Sequence, residues 1–355
     1  MGGSAGFHLE SPMLTATDEP TSTSPHSRAV SKIDFEVITL IGYGQSGTVV
    51  QLVKSKATGA YYAMKTVDKW SLIEQRNSGD PKAIDRASAE RDLHIRLGDS
   101  CAYFVKFFYS FQSTKNLYYI LEYCPCDVLE YINQFGPLTI KDALLFIGEL
   151  VVAVEHLHRS GSIHRDIKTD NILISTSGHV RLSDFGSSKR VENDRCDSVV
   201  GFSVSIMPPE FFSGNPSYGS AIDWFQVGIC AYEVLTGQQP FSGRPLRTVD
   251  SPDYPPPWPV IDRPVPDTLK QLVEALLHPD EANRLSTFES IESHPALAGF
   301  SWKGVQAGDP VEVPFAHVAG DASFSSFATP RMMSSVSSDH EFDPLPFKSF
   351  SYIRP

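Results

Sequence analysis

Between His164 and Gly186 the chain sets two aspartates, a lysine and an asparagine at short fixed intervals. They lie in His164-Arg165-Asp166-Ile167-Lys168-Thr169-Asp170-Asn171 and, after a short apolar run, in Asp184-Phe185-Gly186. Such a set suits phosphoryl transfer from ATP. That reaction asks a protein for positioning and charge neutralisation more than for covalent chemistry. In this reading Asp166 accepts the proton of an attacking hydroxyl and Lys168 meets the transferring phosphate. Asn171 and Asp184 hold Mg²⁺.

Other elements must bring nucleotide to those groups. Gly42-Tyr43-Gly44-Gln45-Ser46-Gly47 stands between two strand-like runs, Ile38, Leu40 and Ile41 before it and Val49, Val50, Leu52 and Val53 after. Glycines at this spacing let backbone approach phosphates without Cβ clashes. The same spacing opens dinucleotide-binding units, but those need a helix directly after the third glycine. Here Thr48-Val49-Val50 favours strand. Tyr61-Tyr62-Ala63-Met64-Lys65 reads as an apolar strand ending in lysine, and a buried ammonium needs an anionic partner. ATP phosphates and Glu90, within the helical run Arg86 to Leu93, supply one. Taken singly, Lys65 at a solvated strand edge and Glu90 on a polar helix face remain open readings. Four motifs in order along one chain favour the joint one.

The 355 residues, 41% hydrophobic, are enough for two lobes with a cleft between them. A net charge of −12 argues against a nucleic-acid surface, which needs clustered Lys and Arg. Five cysteines without a regular framework fit a reducing compartment, and Cys124 and Cys126 have no second pair with which to bind zinc. No apolar run of roughly 18 residues spans a membrane, and the first thirty residues lack a secretory h-region. Gly6 stands where N-myristoylation wants Ser or Thr. A cytoplasmic monomer is expected.

Residues 1–30, rich in Ser, Thr and Pro, read as disordered. Residues 31–123 read as a β-rich lobe around one helix, ending in the strand Leu117 to Glu122 and the hinge Glu122-Tyr123-Cys124-Pro125. Residues 124–297 read as a mainly helical lobe. Its amphipathic run from Asp142 to Leu157 comes first, then a buried helix from Asp223 and a last clear helix from Leu269 to Leu277. Recurrent prolines from Asp250 to Pro266 exclude helix there. Residues 298–355 form a polar tail ending in Phe347-Lys348-Ser349-Phe350-Ser351-Tyr352.

Together the motifs resemble the catalytic core of eukaryotic protein kinases over residues 31–297. The tail is similar to the F-x-x-F-[ST]-[FY] hydrophobic motif of the AGC serine/threonine kinases. The resemblance implies an α+β bilobal fold: a small β-rich N-lobe with one main helix, a larger mainly helical C-lobe and an AGC-type tail. It places ATP against Ile41, Gly42, Tyr43, Gly44, Gly47, Val49, Ala63, Glu122, Cys124, Asp127 and Asn171, with Lys65 on its phosphates and Glu90 on Lys65. It makes Asp166 and Lys168 catalytic, Asn171 and Asp184 the Mg²⁺ ligands, and Ser198 a phosphorylation site whose charge would meet Arg165. Glu210 and Arg284 would pair to support the activation segment. Leu72, Ile73, Gln112 and Leu117 would line a docking groove that Phe347, Phe350, Ser351 and Tyr352 fill in cis. Asp68 to Ile73, Glu90-Arg91-Asp92, Phe104 to Phe107 and Ser198-Val199-Val200-Gly201 look like the phosphoinositide-dependent protein kinase 1 branch of that family. Partners would be proteins with Ser or Thr acceptors, other AGC kinases among them.

Several residues depart from the family pattern. The chain carries its own hydrophobic motif, and the roughly 60 residues after Pro295 are too few and too polar for that branch's lipid-binding domain. Phe202 replaces a threonine that bonds the catalytic Asp and Lys, leaving Ser203 or Ser205 to take its place. Thr169 replaces a proline, Ser46 an aromatic, and His94 an apolar residue beside Phe185. Three readings stay open: an upstream kinase that recruits partners through their motifs, an effector awaiting an activator, and a pseudokinase scaffold.

Overall fold

A computed structural model describes residues 30–44, 47–191, 195–196, 203–212, 217–241, 245–248, 250–308, 312–318, 347 and 350–353. The first 29 residues, Gln45, Ser46, Ser198 and Phe202 lie outside the described residues.

The small lobe runs β1 (Phe35–Tyr43), β2 (Val49–Ser55), β3 (Tyr61–Asp68), α1 (Lys69–Asn77), α2 (Ala83–Leu97), β4 (Phe107–Gln112) and β5 (Asn116–Glu122). The large lobe follows with β6 (Cys126–Asp127), α3 (Val128–Phe135), α4 (Ile140–Arg159), β7 (Ser162–Ile163), β8 (Ile172–Ile174), β9 (Val180–Leu182) and β10 (Lys189–Arg190). It continues through α5 (Ala221–Thr236), α6 (Asp267–Leu276), α7 (Phe288–Glu292) and α8 (Trp302–Gln306), and the tail ends in β11 (Tyr352–Ile353).

The main sheet is ordered β1-β2-β3-β5-β4-β11 with antiparallel pairing throughout. Its register sets Lys65 on β3 opposite Val50 of β2 and Tyr119 of β5, so the lysine leaves the sheet beside the glycine turn. Leu52, Met64, Leu117, Tyr119 and Ile120 bury the strands' apolar positions. Helix α2 lays Ala83, Ile84, Ala87, Glu90, Leu93, His94 and Leu97 inward, a 3.6-residue stripe that carries one carboxylate with it.

The small lobe has a second helix that the sequence reading left out. Asp68 caps α1 by accepting the Ser71 N–H at 2.9 Å, Leu72 is buried, and Ile73 packs against the same apolar cluster. Trp70, Leu72 and Ile73 are too few apolar positions in nine residues to show a period.

In the large lobe α5 is buried along its whole length, and a helix apolar all round belongs in a core. Asp223, Gln226 and Glu233 are its polar exceptions, and each has a bonding task described below. Helix α6 begins directly after Pro266, where the proline-rich run ends. The tail is less polar than its composition suggests. Trp302, Val305, Phe315 and Val318 are buried in the large-lobe core, with the Phe315 ring 5.0 Å from that of Tyr131. Their wide spacing hides them from any periodicity argument. All five cysteines are buried and none is disulfide-bonded. Among the described residues no helix is long and apolar enough to cross a membrane.

Candidate active site

The small lobe contributes a cation between two carboxylates. Lys65 Nζ donates to Glu90 Oε1 at 2.7 Å and to Asp184 Oδ1 at 3.0 Å, so β3, α2 and the Asp184 loop meet at one ammonium. Burial would lower this lysine's pKa, but the Asp184 and Glu90 carboxylates outweigh it and hold it above the ordinary lysine value. Lys65 in turn pulls Asp184 down to about 2. Asp184 has left-handed backbone (φ 58), which turns its side chain back towards the cleft. Gly47 is left-handed too, and a Cβ on Gly44 would lie 3.0 Å from Thr48 Cβ, so the turn from β1 into β2 accepts no side chain there.

The large lobe contributes the floor. Asp223 Oδ2 and Oδ1 accept the backbone N–H groups of His164 and Arg165, each at 2.8 Å. Gln226 Oε1 accepts the N–H of Ile167 at 2.8 Å, so α5 holds three amides of the loop, those of His164, Arg165 and Ile167. Held this way, Asp166 is buried, and Asn171 Nδ2 donates to its Oδ2 at 2.9 Å and to its carbonyl at 2.8 Å. Lys168 Nζ lies 3.2 Å from Asp166 Oδ2.

Of the two serines considered for the missing threonine hydroxyl, Ser203 occupies the place. Its Oγ accepts from Lys168 Nζ at 2.8 Å and its N–H donates to Asp166 Oδ1 at 3.2 Å. Thr169 finds a different use for its hydroxyl, donating to Glu233 Oε2 at 2.8 Å. Glu233 has no place in the sequence reading. It is 5% exposed, and burial pushes its carboxyl up to about 7. His94 behaves as an aromatic filler: its ring stacks 5.2 Å from Phe107 and meets Phe185 edge-on at 4.9 Å, and burial pushes its pKa down to about 3.

The remaining candidates divide between the cleft and its supports. The Glu122 side chain pairs with Arg181 Nε at 2.8 Å, and its backbone N–H donates to the Lys106 carbonyl at 2.8 Å. Cys124 is buried and its thiol is pushed well above the ordinary value by burial, which argues against thiolate reactivity. Asp127 caps α3 by accepting the Glu130 N–H at 2.7 Å, and burial pushes its carboxyl up to about 6. Ile41, Gly42 and Tyr43 end β1, Val49 starts β2 and Ala63 lies buried on β3. Glu210 and Arg284 form a two-bond ion pair at 2.6 and 2.9 Å. Arg165, expected to face a phosphate on Ser198, directs Nε to the Ser187 carbonyl at 2.6 Å and Nη1 to the Tyr218 hydroxyl at 3.1 Å.

The tail motif lies on the back of α2. Phe347 and Phe350 join Leu72, Leu117, Tyr119 and Ile84 in one buried cluster, with Ile73 and Tyr352 packed against it. Gln112 Nε2 donates to the Phe347 carbonyl at 2.6 Å, and Ser110 Oγ to that of Phe350 at 2.6 Å. Two cations cap the rings: Lys69 Nζ is 4.8 Å from the Phe347 centroid, and the Arg91 guanidinium 5.2 Å from that of Phe350. Ser351 is exposed.

Asp184 and Asn171 suit a magnesium ion. The carboxylate is held ionised, and Asn171 donates through Nδ2, which turns its amide oxygen away from Asp166. Among the described residues no three His, Cys, Asp or Glu side chains cluster as a metal cage. Magnesium bound through one or two protein oxygens and substrate phosphates needs none.

Residues 35–297 match the family described as Protein kinase domain. The chain is 32% identical over 359 residues to the serine/threonine-protein kinase mrck-1 of Caenorhabditis elegans, covering 91% of this chain and 21% of that protein. It is 30% identical to mouse myotonin-protein kinase, covering 94% of this chain and 56% of the relative, and 32% identical to rat citron rho-interacting kinase, covering 90% and 16%. The chain thus spans between about a sixth and a little over half the length of these relatives.

Proposed function

The chain belongs to the protein kinase domain family, among AGC-type serine/threonine kinases, and we propose that it transfers the γ-phosphoryl group of ATP to serine or threonine hydroxyls of protein substrates. The observation that carries this reading is the convergence of Lys65, Glu90 and Asp184 with Asp166, Lys168 and Asn171 on one cleft. Asp166 would orient the acceptor hydroxyl and take its proton. Lys168, within reach of both Asp166 and Ser203, would neutralise charge gathering on the transferring group. Lys65 would bind the non-transferred phosphates. Asp184 and Asn171 would hold Mg²⁺, which supplies charge neutralisation across the phosphates when bound.

Two roles compete within this activity. Likeness to the phosphoinositide-dependent protein kinase 1 branch in Asp68 to Ile73 and Glu90 to Asp92 supports an upstream kinase. The buried contacts of Phe347 and Phe350, and relatives named for myotonin, MRCK and citron rho-interacting kinases, support an effector whose groove serves its own tail. We favour the effector. Purified chain incubated with Mg·ATP and an added Ser/Thr peptide, beside Asp184→Ala, tests the activity by mass spectrometry. Phosphate on the peptide with wild type alone supports it; none with either protein, although ATP binds, leaves an effector awaiting its activator or a scaffold.

A further inference from the structure

Between α5 and α6 the chain places seven prolines from Pro252 to Pro266, and phosphoryl transfer gives that stretch no task. Its middle, Pro255-Pro256-Pro257-Trp258-Pro259-Val260, is neither helix nor strand. Proline fixes φ near about −65°, and a residue that precedes proline is kept out of the helical region. The run is thereby driven to the extended polyproline conformation by its sequence.

The fold grips this run by one side and displays the other. Trp258 Nε1 donates to Glu274 Oε1 of α6 at 2.8 Å, and its ring lies 4.9 Å from that of Tyr232 on α5. The Tyr232 hydroxyl donates to the Pro257 carbonyl, and Pro256 is buried. On the other side Pro255 and Pro257 are exposed, and Val260 is 104% exposed. Among the described residues, the Pro257 carbonyl is the one backbone group from Pro255 to Val260 that makes a hydrogen bond. A mere link from α5 to α6 needs the inward anchors, but it does not need prolines and a valine turned to water. Those outward groups are what a proline-reading groove uses: rings whose φ is already set, which lose little entropy on docking, beside carbonyls ready to accept. Exposed Asp250, Asp253 and Asp262 flank the run, while Arg247 is turned away onto the Phe212 ring, 4.7 Å from its centroid.

From this display we infer that Pro255 to Val260 is a docking strip for a separate protein domain whose groove is lined by aromatic rings and rimmed by basic side chains. Tied to α5 and α6, the strip is rigid before its partner arrives, which lowers the ordering cost of binding. Its anchors share no residue with the groups around Lys65 and Asp166, so a bound partner recruits the protein without entering the cleft. The inference is independent of the phosphoryl-transfer reading.

The test titrates the purified full chain with purified SH3, WW and EVH1 domains, each class represented by one member with a basic rim and one with an acidic rim, and reads Kd by biolayer interferometry. The expected result is saturable binding to a basic-rimmed domain, weaker binding to its acidic-rimmed counterpart, and loss of affinity on raising salt. Pro257→Ala, which keeps the carbonyl that Tyr232 holds, and Val260→Ser should each raise Kd about tenfold, as loss of a packed interface anchor does. Val260→Ser removes a fully exposed side chain and leaves the melting temperature unchanged, so it decides the matter should Pro257→Ala unfold the strip. No binding to any basic-rimmed domain, or binding that Val260→Ser leaves intact, would overturn the inference. So would self-association of the wild-type chain that Val260→Ser abolishes, since the strip would then serve a second copy.

Discussion

The two halves of the cleft are held by opposite strategies. The floor around Asp166 hangs from α5, a helix buried over its full length, and every amide that Asp223 and Gln226 grip belongs to the same lobe. The Lys65–Glu90 half depends on α2, whose outer surface is closed by Phe347 and Phe350 from the far end of the chain, 240 positions from Ser110. A loop pinned to a core helix is in place whenever its lobe is folded. A helix backed by a distant segment is in place only when that segment is seated, which makes the small lobe the half that can be regulated.

Four experiments press on this contrast. Asp166→Asn removes proton acceptance while the floor stays hung from α5. It should cut kcat by roughly 10²–10⁴ with ATP affinity and melting temperature preserved, measured by steady-state kinetics and calorimetry. Phe350→Ala strikes the other half. Truncating a ring that is 1% exposed should cost about 3–5 kcal/mol, with faster hydrogen exchange in α2 and unchanged protection in α4 and α5. Equal loss of protection in both lobes would erase the distinction drawn here. Ser203→Ala should lower kcat about tenfold, one charge-assisted hydrogen bond's worth, whereas Ser203→Thr keeps the hydroxyl and most of the rate.

A further effect is a pH dependence of stability seated in the floor. Glu233 carries a folded pKa raised from 4.5 to about 7, so the folded state binds more protons than the unfolded one between those values. Stability from this group is therefore greatest below pH 4.5 and is lost as pH rises towards 7, by about 3 kcal/mol at most. Glu233→Gln, which keeps an acceptor for Thr169, should flatten the change in melting temperature between pH 5 and 8. An unaltered slope would mean that the carboxyl ionises without penalty.

The candidate catalytic set was legible as a cluster because phosphoryl transfer demands polar groups at fixed spacing. Lys65, Glu90, Asp166, Lys168, Asn171 and Asp184 all gather at one cleft. Strands β1, β2, β3, β5 and β8 and helices α2, α4, α5 and α6 were legible from apolar pattern and breakers. Four features were not. Helix α1 announces itself by a cap and three apolar residues, Trp70, Leu72 and Ile73, below what periodicity can register. The choice of Ser203 over Ser205 turns on which of two hydroxyls an activation segment of unusual length brings to Lys168, a matter of loop path that no local pattern encodes. Glu233 and Thr169 lie 64 positions apart and meet only through the packing of α5 beneath the catalytic loop. The tail's large-lobe contacts escaped for a similar reason. Trp302, Val305, Phe315 and Val318 are scattered singly through polar sequence, and only the folded core collects them.

The last strand has a consequence for the fate of shortened chains. Tyr352 and Ile353 pair with Ser110 and Tyr109 and take the place at the end of the main sheet that β4 would otherwise hold. Removing residues from Phe347 onward would leave β4 as a bare edge of unpaired N–H and C=O groups beside an uncovered apolar groove, the combination through which strands of separate molecules add to one another. A proteolytic nick in the tail would thus yield more than a less active enzyme: it would yield a sticky one, prone to self-association and to capture by the cell's chaperones.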